Sequence, residues 1–301
     1  MRSFRYKAFG LYIESELEIP EFLPTDEEPG IFIGLGEVPD QLVSPQFIGV
    51  RFQASPNQFI LKVDNIANYY AEAGHTITVQ PSENAEMADV RLFLLGSVFG
   101  ALIHQRGLLP MHGSSLVFGE SAIIFSGVSG AGKSTLAAGF IKRGYKILSD
   151  DISVVSVNKQ NLPAVSAGYP QMKLWADSLE KLGIDPNSLS RVRKQLNKHN
   201  FEVVDAFESA KLPLSGIYIL HTKNSPGIEV EDLKGIEKFN ALKNNTYRLN
   251  FVRGLGNNEA NFNHLSAIAQ NCFVRRLSRP SKGFSTDSII DIIENKLHSI
   301  G

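Results

Sequence analysis

Apolar positions along this chain follow two kinds of spacing. Up to about residue 81 they come in short runs rich in β-branched and aromatic residues: RYKAFGLYIES, GIFIGLGEV, QFIGVRFQ, QFILKV and HTITVQP. Gly, Pro and Asn separate the runs, and this pattern predicts strands. Helices enter from about residue 92. LFLLGSVFGALIHQRG predicts a buried helix over about 92–106, stopped at Arg106-Gly107. HGSSLVF and SAIIFSG predict two strands turned at Gly119-Glu120. A glycine-rich loop follows, then a helix over STLAAGFIKR stopped at Gly144, then one strand over YKILSDDISVV. Beyond a long stretch without a clear pattern, LSGIYIL and CFVRRLS predict strands, KFNALKNNTYRLN contains a helix, and SIIDIIENKL closes the chain as a helix. Strands alternating with helices indicate an α/β layer architecture.

Composition narrows the classes. With 301 residues, 43% of them hydrophobic and 20% charged, the chain fills a sizeable core and is not largely disordered. The net charge of −1 gives no basic excess to recruit nucleic acid. That total hides an asymmetry. Residues 1–90 hold 5 basic and 14 acidic residues, and residues 91–301 hold 25 and 17. The shift predicts two units: a strand-rich acidic domain over 1–90 and a second domain over 91–301. The acidic turn Asp26-Glu27-Glu28-Pro29-Gly30 reads as a solvated surface, or as a contact for a basic partner or the protein's own basic half.

The apolar stretch from Leu92 to Ile103 is interrupted by Gly96, Ser97 and Gly100 and falls short of the ~20 residues that span a bilayer. The N-terminus has acidic residues where an export signal needs an apolar run. A cytoplasmic protein with no membrane partner is therefore expected. Cys272 is the only cysteine, which excludes an intrachain disulfide and a Cys-based zinc cluster. It reads as a small buried hydrophobe.

The chemistry concentrates in Gly127-Val128-Ser129-Gly130-Ala131-Gly132-Lys133-Ser134, a full G-x-x-x-x-G-K-[ST] match followed by Thr135. A glycine-rich loop can turn successive backbone N–H groups onto phosphate oxygens. Lys133 would place a compact positive charge on the β- and γ-phosphates, Ser134 can ligate Mg²⁺, and the helix beginning there adds its positive end. The apolar strand leading in and the helix leading out are the context this loop needs. Asp150 and Asp151 end a neighbouring apolar strand. One of them can sit on the metal, and the other can be a general base or only a turn residue. His112 begins the strand expected to pair with the loop strand, where an imidazole could bond phosphate or Asp150.

The block MHGSSLVFGESAIIFSGVSGAGKSTLAAGFIKRGYKILSDD resembles the catalytic core of bacterial HPr kinase/phosphorylase over about 40 residues, with His112, Lys133, Arg143-Gly144-Tyr145 and Asp150-Asp151 in matching spacing. GYPQMKLWADSLEKLG, LPLSGIYIL, NNTYR and VRRLSRP look like the subgroup of peptide-tailoring kinases, such as those of lasso-peptide pathways. The resemblance implies a P-loop kinase domain of the HPr-kinase/phosphoenolpyruvate-carboxykinase type over 91–301. It implies an ATP-dependent serine kinase acting on a peptide or small protein, and self-association into a homo-oligomer. Residues Gly127 to Thr135 would hold ATP. Ser134 and one Asp would hold Mg²⁺, and His112 and the other Asp would serve the acceptor hydroxyl, with Asp150 favoured as base and Asp151 as metal ligand. Where true HPr kinase/phosphorylases carry a glycine-rich signature soon after the Asp pair, this chain has Ala167-Gly168-Tyr169-Pro170 and Lys173-Leu174-Trp175. The similar string Val252-Arg253-Gly254-Leu255-Gly256 comes about 100 residues later and is not its equivalent.

The densest basic run, Arg191-Val192-Arg193-Lys194 with Lys198-His199, reads either as a solvated face or as a segment that covers ATP or grips a peptide carboxylate. One arginine there, or Arg248, Arg253 or Arg275, could supply further positive charge to a transferring phosphoryl group. Trp175 and Tyr169 read as core residues before stacking platforms. His221 and His264 read as structural. A small-molecule kinase and a nucleotide-hydrolysing switch are the competing functions. Asn158-Lys159-Gln160-Asn161 fails the guanine-reading N-K-x-D at its last position, which weakens a GTPase.

Overall fold

The computed structural model describes residues 3–193, 196–224, 226–281 and 286–298. Its first sheet is built from β1 (Phe4–Ala8), β2 (Leu11–Ser15), β3 (Leu23–Pro24), β4 (Ile31–Leu35), β5 (Phe47–Ile48), β6 (Phe52–Ser55), β7 (Gln58–Val63), β8 (Ala67–Glu72) and β9 (Thr76–Pro81). The strand order is β3-β1-β2-β4-β9-β8-β7-β6-β5, parallel at β2–β4 and β4–β9 and antiparallel elsewhere. Side chains alternate between faces, so Leu11 and Ile13, then Ala67, Tyr69 and Ala71, then Ile77 and Val79 turn to one core. Strand β8 was not predicted, because small alanines hold two of its three inward positions and give little apolar signal.

Against that core runs a continuous helical rod: α1 (Met87–Phe93), a π-turn over Leu94–Val98, and α2 (Phe99–Gln105). The rod starts five residues before the predicted helix. It is long and apolar enough to cross a membrane, with a mean hydropathy of 1.5, but 67% of that apolar window is buried inside the protein. Its glycines have a packing reason. A Cβ at Gly100 would lie 2.9 Å from the Tyr247 ring, so the bare backbone gives Tyr247 its seat.

The second sheet follows from β10 (Leu109–Phe118) and β11 (Ser121–Gly127), the predicted pair turned at Gly119-Glu120. After α3 (Lys133–Lys142) come β12 (Ile147–Ser149), β13 (Ile152–Val157) and β14 (Pro163–Ser166). A separate ribbon pairs β15 (Gln171–Trp175) with β16 (Lys198–Glu202), and α4 (Ala176–Lys181) lies between them in the chain. The remainder is β17 (Leu212–Lys223), β18 (Glu229–Asp232), α5 (Gly235–Asn244), α6 (Leu249–Leu255), α7 (Asn258–Asn271), β19 (Phe273–Pro280) and α8 (Thr286–His298). The sheet order is β11-β10-β13-β14-β17-β19-β18, and β17 also pairs with β11, so five strands close on themselves. Strands β11, β17 and β19 run parallel. The chain is thus mixed α/β with several sheets.

Three predicted strands are each two strands. YKILSDDISVV is two strands, broken at Asp150-Asp151. RYKAFGLYIES is β1 and β2 turned at Phe9-Gly10, and QFIGVRFQ is β5 and β6. The helix expected within KFNALKNNTYRLN is α5, which runs to Asn244, and Thr246 then bridges to Met111 before α6 begins.

Helices α3 and α8 cover one face of the second sheet, packing Leu136, Phe140, Ile289 and Ile290 on Phe125 and Tyr218. On the other face α5 and α7 pack Leu242, Leu265 and Ile268 on Ile124 and Ile217. Full burial of such side chains contributes roughly 1.5–3 kcal/mol each. Those two layers hold β11 and β17 rigid where the loop leaves the sheet.

Candidate functional site

Strand β11 ends at Gly127, where the chain must turn away from β17. Gly127 has φ 144°, and a Cβ there would lie 2.7 Å from the Leu220 carbonyl oxygen. Gly130 and Gly132 also take left-handed φ, 81° and 96°. Helix α3 starts at once after Gly132, which supplies no side-chain cap. Its first-turn N–H groups at Lys133, Ser134 and Thr135 therefore have no intrahelical acceptor and face the glycine loop. A cradle of this kind binds anions. The Lys133 ammonium is buried and donates to Gly127 O at 2.9 Å and Val128 O at 3.1 Å. Burial lowers its pKa, and the nearby Asp151 and Asp150 charges oppose that shift.

The Asp pair occupies a kink. Asp151 has φ 69°, and the turn is locked by Ser149 Oγ donating to Ile152 O at 2.6 Å and Gly113 N donating to Asp151 O at 3.2 Å. In a straight strand two neighbours point to opposite faces, and the kink instead brings both carboxylates beside the loop. Asp150 is buried. Its Oδ1 accepts from Ser114 Oγ at 2.6 Å and Ser134 Oγ at 2.9 Å, and its Oδ2 accepts from Lys173 N at 3.0 Å. Asp151 is half-buried, with His112 Nε2 at 3.7 Å from Oδ1 and Lys173 Nζ at 3.8 Å from Oδ2. Ser134 is thus bonded to Asp150, and Asp151 faces His112.

Electrostatics differ on the two sides. Burial pushes the Asp151 carboxyl up, but Lys173, Lys198, His112 and Lys133 outweigh it and hold the group below its ordinary value. Burial lowers His112, Lys133 adds to this, and Asp151 opposes it, so the imidazole is neutral at neutral pH. His112 is fixed through its backbone N–H, which donates to Asn245 O at 2.9 Å, and by an edge-on contact of its ring with the Tyr247 ring at 5.8 Å.

The sequence-derived residues His112, Gly127 to Thr135, Asp150 and Asp151 thus meet in one place. Thr135 turns away from the loop, and its hydroxyl bonds Ser178 Oγ at 2.8 Å. Of the basic candidates, Lys198 lies within electrostatic reach of Asp151, His112 and Lys133, and Arg248 within reach of His112. The others are elsewhere. Arg193 pairs with Asp89 and covers Phe93, Arg253 is exposed, and Arg275 is bound to Asp232 and Tyr218. Arg191 bridges to His199 through the backbone, and Lys194 lies outside the described residues. His199 is buried, with Nδ1 3.3 Å from Leu189 O. Tyr169 is a core residue against Phe9 and Phe22, but Trp175 is 46% exposed with Lys198 over its ring. His221 is exposed, His264 bonds back to Ala260 O, and Cys272 is buried with its thiol pushed up to about 12 by burial.

Four site residues were missed. Ser114 stands two positions from His112 on one strand face, a signal that alternation offered. Lys173 is a lone cation in the run QMKLW. Tyr247 lies in NNTYR, one of the stretches that carry the resemblance, but was given no role. Arg279 is the last residue but one of β19, and its Nη2 donates to Ala131 O at 2.9 Å. Its place beside the loop follows from β11, β17 and β19 being parallel, which the chain order alone does not reveal.

No protein-family model matches the chain, and no curated protein matches it. Among solved structures it is similar to the Hpr(Ser) kinase/phosphatase from Coxiella burnetii, at 12% identity and a TM-score of 0.35, over 64% of this chain and 92% of that one. At that overlap the likeness carries no argument about activity.

Proposed function

We propose that the protein is an ATP-dependent kinase that transfers the γ-phosphoryl group to a serine hydroxyl of a peptide or small protein. The observation that carries this is the division of the site about Lys133. Ser134 and Asp150 stand bonded together on one side, and His112 and Asp151 face each other on the other. The second pair suits activation of an attacking hydroxyl.

The residues fit a magnesium nucleotide. The glycine cradle and uncapped α3 would take the phosphates, with Lys133 turning from its loop carbonyls to the anion. Ser134 and Asp150 would hold Mg²⁺. Among the described residues no three His, Cys, Asp or Glu side chains cluster to bind a metal alone, which suits an ion that completes its shell with phosphate oxygens and water. Bound magnesium would neutralise charge on the transferring group. Asp151, ionised and reachable, is placed to accept the proton of the attacking hydroxyl, and neutral His112 orients that hydroxyl.

The test is γ-labelled ATP offered with serine peptides, HPr and small hydroxyl metabolites, read by mass spectrometry. Label on a serine is expected, and Lys133→Ala should abolish it. Phosphate released only to water would sink the kinase reading and favour a switch.

A further inference from the structure

Two cations at the site, Lys198 and Arg248, make no salt bridge among the described residues. Lys133 and Arg279 flank the loop, and Lys173 is matched by Asp151. That leaves Lys198, which is within electrostatic reach of Asp151 but not paired with it, and Arg248, whose side chain bonds that of Tyr247. Both stand on the His112–Asp151 side. Lys198 is on β16, directly across from Trp175, so it shares a face of the ribbon with Trp175 and Lys173 and rests 5.9 Å from the Trp175 ring. The guanidinium of Arg248 lies 5.5 Å from the Tyr247 ring, the same ring that His112 meets edge-on.

Arg248 is also held at a backbone cost. Its φ of 52° is left-handed, a conformation that costs a non-glycine residue free energy and persists only where the surroundings enforce it. They do so here on the residue before it. Tyr247 N donates to Pro110 O at 2.8 Å, and Tyr247 O is bonded by His104 Nε2 at 2.9 Å. The segment is thereby fastened to β10 next to His112, and an exposed arginine is fixed at the mouth of the site rather than left to sample solvent.

We propose that Arg248 and Lys198 form an anion subsite for the phosphoryl acceptor, so that the hydroxyl phosphorylated is one flanked by a carboxylate. Arg offers a planar pair of donors to a carboxylate, and Lys a point charge, and both lie within electrostatic reach of His112. Assignment of the subsite to the acceptor rests on the kinase reading; the existence of the subsite does not. The carboxylate could come from an acidic peptide or from a small hydroxy acid, and the two are separable.

Calorimetry in the presence of ADP and magnesium would use acetyl-Asp-Ser-Asp-amide against acetyl-Asn-Ser-Asn-amide, and glycerate against its amide. In the full chain one acid should bind at least about tenfold tighter than its amide, the scale of one charged hydrogen bond. Whether the peptide or glycerate shows the preference names the source. Arg248→Gln and Lys198→Gln should each remove most of that preference, Arg248→Lys should keep part of it, and ADP affinity should change less than about twofold. Equal binding of acid and amide, no binding of either, or a preference that survives both Gln variants would overturn the proposal. An equal loss of ADP affinity would assign the two cations to the nucleotide and overturn it as well. If the acid preference holds while label reaches no acceptor, the subsite stands and the kinase reading fails.

Discussion

At the scale of single residues the two aspartates are adjacent in the chain but chemically separate. Asp150 has both oxygens engaged, by Ser114, Ser134 and the Lys173 amide, whereas Asp151 has only longer-range cationic company. Asp150→Asn should therefore weaken magnesium-dependent nucleotide binding at least about tenfold. Asp151→Asn should leave that binding within about twofold and cut transfer by about 10²-fold or more, the usual weight of a general base. Nucleotide titrations beside initial rates separate the two, and the opposite pattern would restore the sequence-derived assignment. Acid should act on stability through His104. Burial holds this imidazole down to about 4, and it bonds the Tyr247 carbonyl. Above pH ~6.5 it is neutral both folded and unfolded and contributes no pH dependence. Between there and pH ~4 the unfolded chain takes a proton that the native site refuses, so stability falls as pH falls, by on the order of 3 kcal/mol. Thermal melts across that window should show the slope, and His104→Gln should flatten it. An unchanged slope would remove His104 as its origin.

At the scale of elements, the turn from β11 into α3 depends on which glycine is replaced. A methyl at Gly127 would meet the rigid Leu220 carbonyl of β17, and Gly130 has nothing within 4 Å of the same methyl. Gly127→Ala should cost about 1–3 kcal/mol and abolish nucleotide binding, because strand and loop cannot both keep their places. Gly130→Ala should cost about 1–2 kcal/mol, from its left-handed φ alone, and leave a folded protein. Denaturant midpoints for the pair give the comparison, and equal losses would mean that the β11–β17 contact yields. The same elements show what a sequence can carry. β10, β11 and α3 were legible because alternation, a tight turn and a glycine motif all agree there. The break at Asp150-Asp151 was not, since IL before it and ISVV after it read as one apolar run, and the left-handed Asp151 is imposed by Gly113 and Ser149 from outside the local pattern. The β15–β16 ribbon was hidden for another reason: QMKLW and KHNFE mix charge with apolar residues because one face packs and the other serves the site. Helix α6, only 7 residues long, is too short to show a period.

At the scale of the whole molecule, the charge step near residue 90 does not coincide with a break in packing. Glu21 on the acidic side is paired with Arg91 at 3.0 Å. The core of the first sheet also takes in Ile152, Val154, Tyr169, Tyr247, Phe251 and Leu255 from beyond the step. Phe251 is the hinge of this arrangement, with its ring 4.6 Å from Phe52 and 4.7 Å from Phe59, and a methyl at Gly254 would strike Ala54 at 2.5 Å. The first sheet thus sets where α6 begins, and α6 begins at the residue after Arg248. Two consequences follow from one contact. Phe251→Ala should destabilise the full chain by about 3–5 kcal/mol, as for other buried aromatic truncations, and calorimetry should show one cooperative transition moving as a unit. The milder Phe251→Leu should stay folded but loosen Arg248, weakening acid over amide acceptors while leaving ADP affinity alone. Two resolved transitions, only one of them sensitive to Phe251, would show that the first sheet folds by itself and that its contact with α6 does not reach the site.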